Sequence, residues 1–228
     1  SVVMIQCVGS REEPRNYCSR VCCPTSLKHA LTLKKIDPDI TVYILYRDMM
    51  TPGFLEGYFT EAREKGIIFI QYDPEAKPDL VMPETPQDPL YVAVTDPMLG
   101  RLLHIRADLL VLATGIVPQM DPVLANLFGA QTDQDGFFQE ADAKWRPVDA
   151  LKEGVFACGI ALSPRPIPEA IASAQAAAQR ALRLLSHKRL PAGKTVAFVR
   201  HSLCSLCERC IDTCPYGARS LDVNEGRI

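Results

Sequence analysis

Neither sign of charge dominates this sequence: 25 Lys and Arg stand against 27 Asp and Glu over 228 residues. That balance removes the usual ground for nucleic-acid binding, which asks for a basic stripe. No uninterrupted apolar run approaches the roughly 20 residues of a membrane helix. The first ten residues lack a charged start, an apolar stretch of signal length and a small-residue cleavage site, so export is not expected and a cytoplasmic location is. Histidine is scarce. His29, His104, His187 and His201 have neither metal spacing nor triad partners, and they read as surface or capping residues. Also missing is the G-x-G-x-x-G fingerprint that cradles a dinucleotide pyrophosphate. With 47% apolar residues the chain can still bury a core as one or two domains.

Cysteine, by contrast, is plentiful and clustered. Cys7, Cys18, Cys22 and Cys23 lie near the start, Cys204, Cys207, Cys210 and Cys214 near the end, and Cys158 alone between them. An odd, clustered set differs from a secreted disulfide framework and favours metal or redox chemistry.

The organisation alternates. Residues 2–6 form a β-favouring run, residues 25–36 carry Leu27, Ala30 and Leu31 at helical spacing, and residues 41–46 form a second strand. A helix over residues 54–65 ends at Gly66, and residues 67–70 make a third strand. This βαβαβ order predicts a parallel sheet covered by helices, with a ligand crevice at the carboxyl ends of its strands. Proline-rich residues 73–89 predict a loop leading into a hairpin, with arms at 90–95 and 101–106. Residues 108–113 and 155–158 read as buried strands, each ending near a glycine. Residues 168–186 form the strongest helix, with Pro168 and Glu169 in its first turn. Pro191-Ala192-Gly193 reads as a linker. Arg47-Asp48 and the basic Arg180, Arg183, Lys188 and Arg189 read as solvated faces, and Cys158 as a small packed hydrophobe.

Cys204-x2-Cys207-x2-Cys210-x3-Cys214-Pro215 is the run by which bacterial-type ferredoxins hold [4Fe–4S] clusters. Three thiolates wrap one cubane, and the cysteine before proline ligates a second cluster in two-cluster proteins. Here Cys204, Cys207 and Cys210 would share one cluster, with Cys214 for another. The second motif that this needs does not follow before Ile228. Either the sequence is a piece of a longer polypeptide, the preferred reading, or Cys214 completes a single cluster. Zinc is the competing ligand, although its sites usually pair two separated C-x2-C units.

Cys7-x10-Cys18-x3-Cys22-Cys23 occupies the first βα turn, where a dinucleotide fold would place its glycines; only Gly9 is there. NAD binding at that turn is therefore not expected. Adjacent cysteines diverge too far to grip one tetrahedral ion easily, whereas a cubane offers each a different iron. Spacing alone leaves a cluster and free buried or redox-active thiols both open.

The string VVMIQCVGSRE…YCSRVCC, followed by TVYILYRDMMTPGFLE and EKGIIFI, resembles the iron–sulfur flavoproteins that form the A subunits of heterodisulfide reductases. It is also similar to the flavoprotein subunits of the quinone-interacting membrane-bound oxidoreductase. The resemblance implies a thioredoxin-reductase-type α/β fold: a Rossmann-like parallel-sheet domain inserted in an FAD domain, with a partial ferredoxin-like segment. It further implies that Cys7, Cys18, Cys22 and Cys23 bind an unusual [4Fe–4S] cluster.

Residues 113–118 (ATGIVP), 154–159 (GVFACG) and 167–170 (IPEA) resemble the second half of two-dinucleotide-binding flavoproteins. That likeness makes Thr114, Gly115, Gly159, Ile160, Pro168 and Glu169 the candidate FAD contacts. A helix amino terminus aimed at the flavin pyrimidine stabilises a reduced, anionic ring. The usual strand-end Gly-Asp is Gly159-Ile160 here, so that ribityl contact is lost or moved. The glycine fingerprint that holds the pyrophosphate belongs to a preceding half, so FAD is expected in the parent protein and not necessarily in this stretch.

The expected division is residues 1–118 as the Rossmann-like insertion, 119–190 as part of the FAD domain, and 191–228 as the ferredoxin-type segment. The expected function is electron relay between FAD and one amino-terminal and one or two carboxyl-terminal [4Fe–4S] clusters, within an oxidoreductase whose substrate site lies on partner subunits. No nucleic acid is expected, a homodimer is possible, and a membrane is met only through partners. The alternative is a zinc-stabilised scaffold. An NAD(P)H-dependent disulfide reductase would need a C-x-x-C in the flavin domain, which Cys158 and Cys22-Cys23 do not supply.

Overall fold

β1 (Val2–Ile5) is buried along its whole length, and the alternation of a strand sends its side chains into two different cores. Val2 and Met4 meet Leu27, Leu31, Ile44 and Ala62 on one side, while Val3 and Ile5 meet Leu45, Ile70, Val92 and Ile105 on the other. The first core is closed by α1 (Cys22–Ile36) and α2 (Glu56–Glu64). β2 (Val42–Tyr46) and β3 (Ile68–Gln71) extend the sheet to one side. The second core is closed by an antiparallel sheet of β4 (Asp79–Val81), β5 (Leu90–Asp96) and β6 (Arg101–Ala107). With β7 (Leu109–Leu112), the parallel sheet has the order β3-β2-β1-β7. Val2 is in register with both Val42 and Leu109. All four strands run the same way, so the loops after β1, β2 and β7 meet at one edge.

The computed structural model describes residues 1–83, 85, 88–119, 122–188, 198–214 and 217–228. It divides into two units, Ser1–Ser186 and His187–Ile228. The first continues through α3 (Pro122–Phe128), the hairpin of β8 (Glu140–Asp142) and β9 (Arg146–Ala150), and α4 (Ile167–Leu185). In the second, a 3-10 turn (His201–Leu203) precedes α5 (Arg209–Asp212). Among the described residues no helix is long and apolar enough to cross a membrane.

Several expectations are corrected. Helices cover one face of the parallel sheet, and the antiparallel sheet covers the other. That sheet includes β4, inside the stretch read as a loop. α1 starts at Cys22, three residues earlier than its apolar spacing indicates, so Cys22 and Cys23 lie in a helical turn. β7 is an edge strand, with Leu109 and Leu112 52% and 46% exposed. Residues 155–158 form no strand; Phe156 makes a single bridge to Asp149, and Cys158 is half-buried. α3, β8 and β9 have no counterpart among the elements expected from sequence. Arg47 is 6% exposed rather than solvated. Arg180 is tied to the buried Asp149 by an Nε contact of 3.0 Å and a closer Nη2 contact. The linker at Pro191-Ala192-Gly193, Arg189 and Pro215 lie outside the described residues.

Candidate metal centre

The amino-terminal cysteines are placed by the loop between β1 and α1. Cys7 takes a left-handed conformation, with φ of 58°. The chain on either side stays laced into the sheet edge, Gln6 N donating to Leu45 O at 2.9 Å and Val8 N to Ala113 O at 3.1 Å. Gly9 favours glycine, because its φ of 61° lies in the left-handed region and a Cβ there would stand 2.7 Å from Arg15 Nη2, which would have to shift. The loop returns through Cys18 and Ser19 and enters α1 at Cys22 and Cys23. That helix has no side-chain cap and no acidic residue in its first turn. The N–H groups of Cys22 and Cys23 in its first turn are therefore not capped by a side chain, and Pro24 supplies none.

The four sulfurs share one electrostatic neighbourhood. Burial is the main cause that raises the thiols of Cys7, Cys22 and Cys23, the last to about 11. Cys18 adds to the rise at Cys7; Cys7 and Cys18 add to it at Cys22; all three add to it at Cys23. Each sulfur also faces a nitrogen donor. Arg20 N donates to Cys18 Sγ at 3.3 Å. The Gly115 and Met50 N–H groups draw down Cys22 and Cys23, and the Arg11 guanidinium draws down Cys7. Thiols so buried stay protonated near neutral pH unless a cation takes the place of the protons. Soft sulfur donors supplied with N–H partners suit an iron–sulfur group, whose potential depends on such bonds. Among the described residues, no three His, Cys, Asp or Glu side chains are gathered in a form that holds a single metal ion.

The carboxyl-terminal cysteines lie on one short, coiled segment. Leu206 and Glu208 are left-handed, at φ of 58° and 57°, which reverses the chain between successive cysteines. Cys207 and Cys210 are exposed; Cys204 and Cys214 are half-buried. The Arg209 N–H, then the Ser205 hydroxyl, lower the Cys207 thiol, and Ala218 N donates to Cys214 Sγ at 3.4 Å. Sulfurs that accept N–H bonds on a tightly turned loop fit a cluster ligand set.

The candidate flavin contacts adjoin the amino-terminal loop. Gly115, at φ of 78°, approaches so closely that a Cβ would stand 2.5 Å from Ser19 Oγ. Ile116 N donates to that same oxygen at 2.8 Å, and the Tyr17 hydroxyl donates to Ile116 O at 2.9 Å. Gly159 N donates to Ser173 Oγ at 2.8 Å, which fixes the turn after Cys158 against α4. Glu169 receives two hydrogen bonds from Arg20, at 2.8 and 2.7 Å. Thr114, Ile160, Pro168 and Glu169 remain exposed, and Gly115 and Gly159 are half-buried. The flavin candidates and the first cysteine set thus form one neighbourhood. Tyr17, Ser19, Arg20 and Ser173 have no signal in the sequence beyond lying beside cysteines or small residues. Their partners are 14 to 149 positions away, and only the folded sheet edge brings them together.

A 4Fe-4S binding domain model matches residues 197–220. A protein of Archaeoglobus profundus that is like the A subunit of heterodisulfide reductase is 38% identical over 95% of this chain and 31% of its own length. The iron-sulfur A subunit of the CoB–CoM heterodisulfide reductase of Methanocaldococcus jannaschii is 36% identical over 100% of this chain and 35% of its own length. In fold, the chain is similar to the thioredoxin reductases of T. acidophilum and of Lactococcus lactis. TM-scores are 0.51 and 0.52 at 17% identity, each covering 82% of this chain and 53% of the other. The chain spans about a third of the length of the curated relatives it matches. Its curated homologues, over nearly all of its residues, are therefore heterodisulfide reductase A subunits and their like, matched along a stretch that joins a thioredoxin-reductase-like α/β fold to a 4Fe-4S segment.

Proposed function

We propose that this chain is an electron-transfer module of an iron–sulfur flavoprotein, acting within an oxidoreductase of the heterodisulfide-reductase type. Cys7, Cys18, Cys22 and Cys23 hold one [4Fe–4S] cluster. Cys204, Cys207 and Cys210 hold another, with Cys214 ligating either that cluster or a further one. Thr114, Gly115, Gly159, Ile160, Pro168 and Glu169 border the flavin. A bound FAD supplies exchange between two-electron and one-electron chemistry, and clusters supply one-electron relay. The protein's own part is to desolvate the sulfurs, aim N–H groups at them and keep the cysteine loop against the flavin turn. No nucleophile or acid–base pair is needed for that work.

The observation that carries this reading is the gathering of four neighbouring thiols, two buried (Cys7, Cys23) and two half-buried (Cys18, Cys22), each facing its own nitrogen donor. The division into residues 1–118, 119–190 and 191–228 assigns the first cluster to the Rossmann-like part and the second to the ferredoxin-type part. Relatives named as subunits favour partner subunits of a heterodisulfide-reductase-like or quinone-interacting complex, and a homodimer is compatible with the same role. Clustered reduced thiols favour the cytoplasm. Replacing Cys18 with Ala, and separately Cys210 with Ala, tests both ligand sets. Each change is expected to remove about four irons with matching sulfide and to leave the parallel-sheet core folded. Unchanged iron in either variant overturns the assignment at that site.

A further inference from the structure

Arg11 lies four residues after Cys7 and is held from several directions. Its N–H donates to Tyr17 O at 3.2 Å, and its carbonyl accepts from Arg47 Nη1 at 2.9 Å. Its Nη2 donates to Asp48 Oδ2 at 2.7 Å, while its Nη1 is buried without a hydrogen-bond partner of its own. Each member of the Arg11–Asp48 pair adjoins one of the cysteines. The guanidinium stands beside Cys7, and the Cys23 thiol reaches the Asp48 carbonyl at 3.7 Å. The two side chains are 30% and 55% exposed, yet the Arg11 Nη1 within the pair is buried. Behind it, Arg47 is 6% exposed, with an unpartnered Nε and a 3.3 Å contact from Nη2 to Glu12. A guanidinium keeps its charge at every pH the protein meets. Two fixed cations, each also paired with a carboxylate (Asp48 and Glu12), therefore act on Cys7, one of four sulfurs whose thiolates make the site anionic.

We infer that Arg11, supported by Arg47, is a potential-setting residue for the amino-terminal cluster, a fixed positive charge that favours its reduced form. The inference rests on the iron–sulfur reading of Cys7, Cys18, Cys22 and Cys23. Reduction adds one negative charge to the cluster. A cation beside a ligand sulfur stabilises that state more than the oxidised one, and so raises the midpoint potential. Asp48 opposes the effect and limits its size, because its carboxylate offsets the guanidinium it anchors.

The test is an EPR-monitored redox titration of the anaerobically purified, cluster-bearing chain, following the signal that disappears in the Cys18→Ala variant. In Arg11→Gln the midpoint is expected to fall, with the reduced-to-oxidised ratio at a fixed potential dropping about tenfold, about 59 mV for one electron. Arg11→Lys, which keeps the charge, is expected to stay near the parent value. An unchanged midpoint in Arg11→Gln, with iron and sulfide retained, overturns the inference. Should Arg11→Gln lose its cluster, Asp48→Asn decides. It leaves an oxygen for Arg11 and removes the offsetting charge, so the midpoint rises; no change or a fall overturns the inference. If Cys18→Ala removes neither signal nor iron, the iron–sulfur reading itself has failed, and the role of Arg11 fails with it.

Discussion

Arg20 and Glu169, 149 residues apart, form a bidentate ion pair at 2.8 and 2.7 Å that ties the cysteine loop to the first turn of α4. Arg20 sits between Cys18 and Cys22 in a left-handed conformation at φ of 60°, and its own N–H donates to Cys18 Sγ. One residue therefore touches both a proposed cluster ligand and the helix proposed to face the flavin.

Both side chains are 41–48% exposed, so the pair contributes at most about 1 kcal/mol to global stability. Its effect is on position. Arg20→Gln is expected to leave the melting temperature nearly unchanged while hydrogen exchange of residues 18–22 speeds up. Raised salt should give the parent protein a smaller version of the same change. A large loss of melting temperature with unaltered exchange in the loop would show that the pair holds the fold instead.

Gly115→Ala tests the junction between the cysteine loop and the flavin turn. The substitution adds a Cβ at φ of 78°, within 2.5 Å of the buried Ser19 Oγ that Ile116 N uses. Backbone strain and the displaced hydroxyl together are expected to cost about 2 kcal/mol or more. Denaturant unfolding measures the loss. The double variant with Ser19→Ala removes the collision but keeps the strain, so the two changes should cost less together than their sum. Strict additivity would count against a direct contact.

Asp149 gives the fold a defined acid sensitivity. It is 3% exposed, and hydrogen bonding to Arg180, then to Arg146, holds its carboxyl below the usual range. A depressed folded pKa means that the stabilisation is complete above the unfolded value near 4. It is lost as pH falls through the lower folded value. Asp149→Asn is expected to cost about 1–3 kcal/mol at neutral pH. The variant should also lose less stability than the parent between pH 5 and pH 2, by chemical unfolding at each pH. An equal acid loss in both proteins would place the sensitivity elsewhere.

Most of the parallel sheet is legible in the sequence, because β1 and β2 are nearly continuous apolar runs and the intervening helix has a clear buried stripe. The edge position of β7 is not, since Leu109–Leu112 reads identically whether a strand has one neighbour or two. The start of α1 is hidden for a related reason. Cys22 and Cys23 extend the helix beyond the aliphatic spacing, and no Ser, Thr, Asp or Asn caps it. β9 is missed because Arg146, Pro147 and Asp149 look like turn residues, although Asp149 is buried and paired with Arg146 and Arg180. At the site, spacing names the cysteines, whereas the donors that face them come from Gly115, Met50 and Arg11. Those donors depend on which loops the parallel strands deliver to one edge.

Both cysteine sets are proposed to ligate iron–sulfur clusters. The most direct measurement is iron, acid-labile sulfide and zinc per polypeptide after anaerobic purification, with an EPR spectrum of the dithionite-reduced protein. About eight irons with equal sulfide and a reduced-cluster signal are the expected result. Stoichiometric zinc without sulfide would contradict the claim and make the chain a metal-stabilised scaffold.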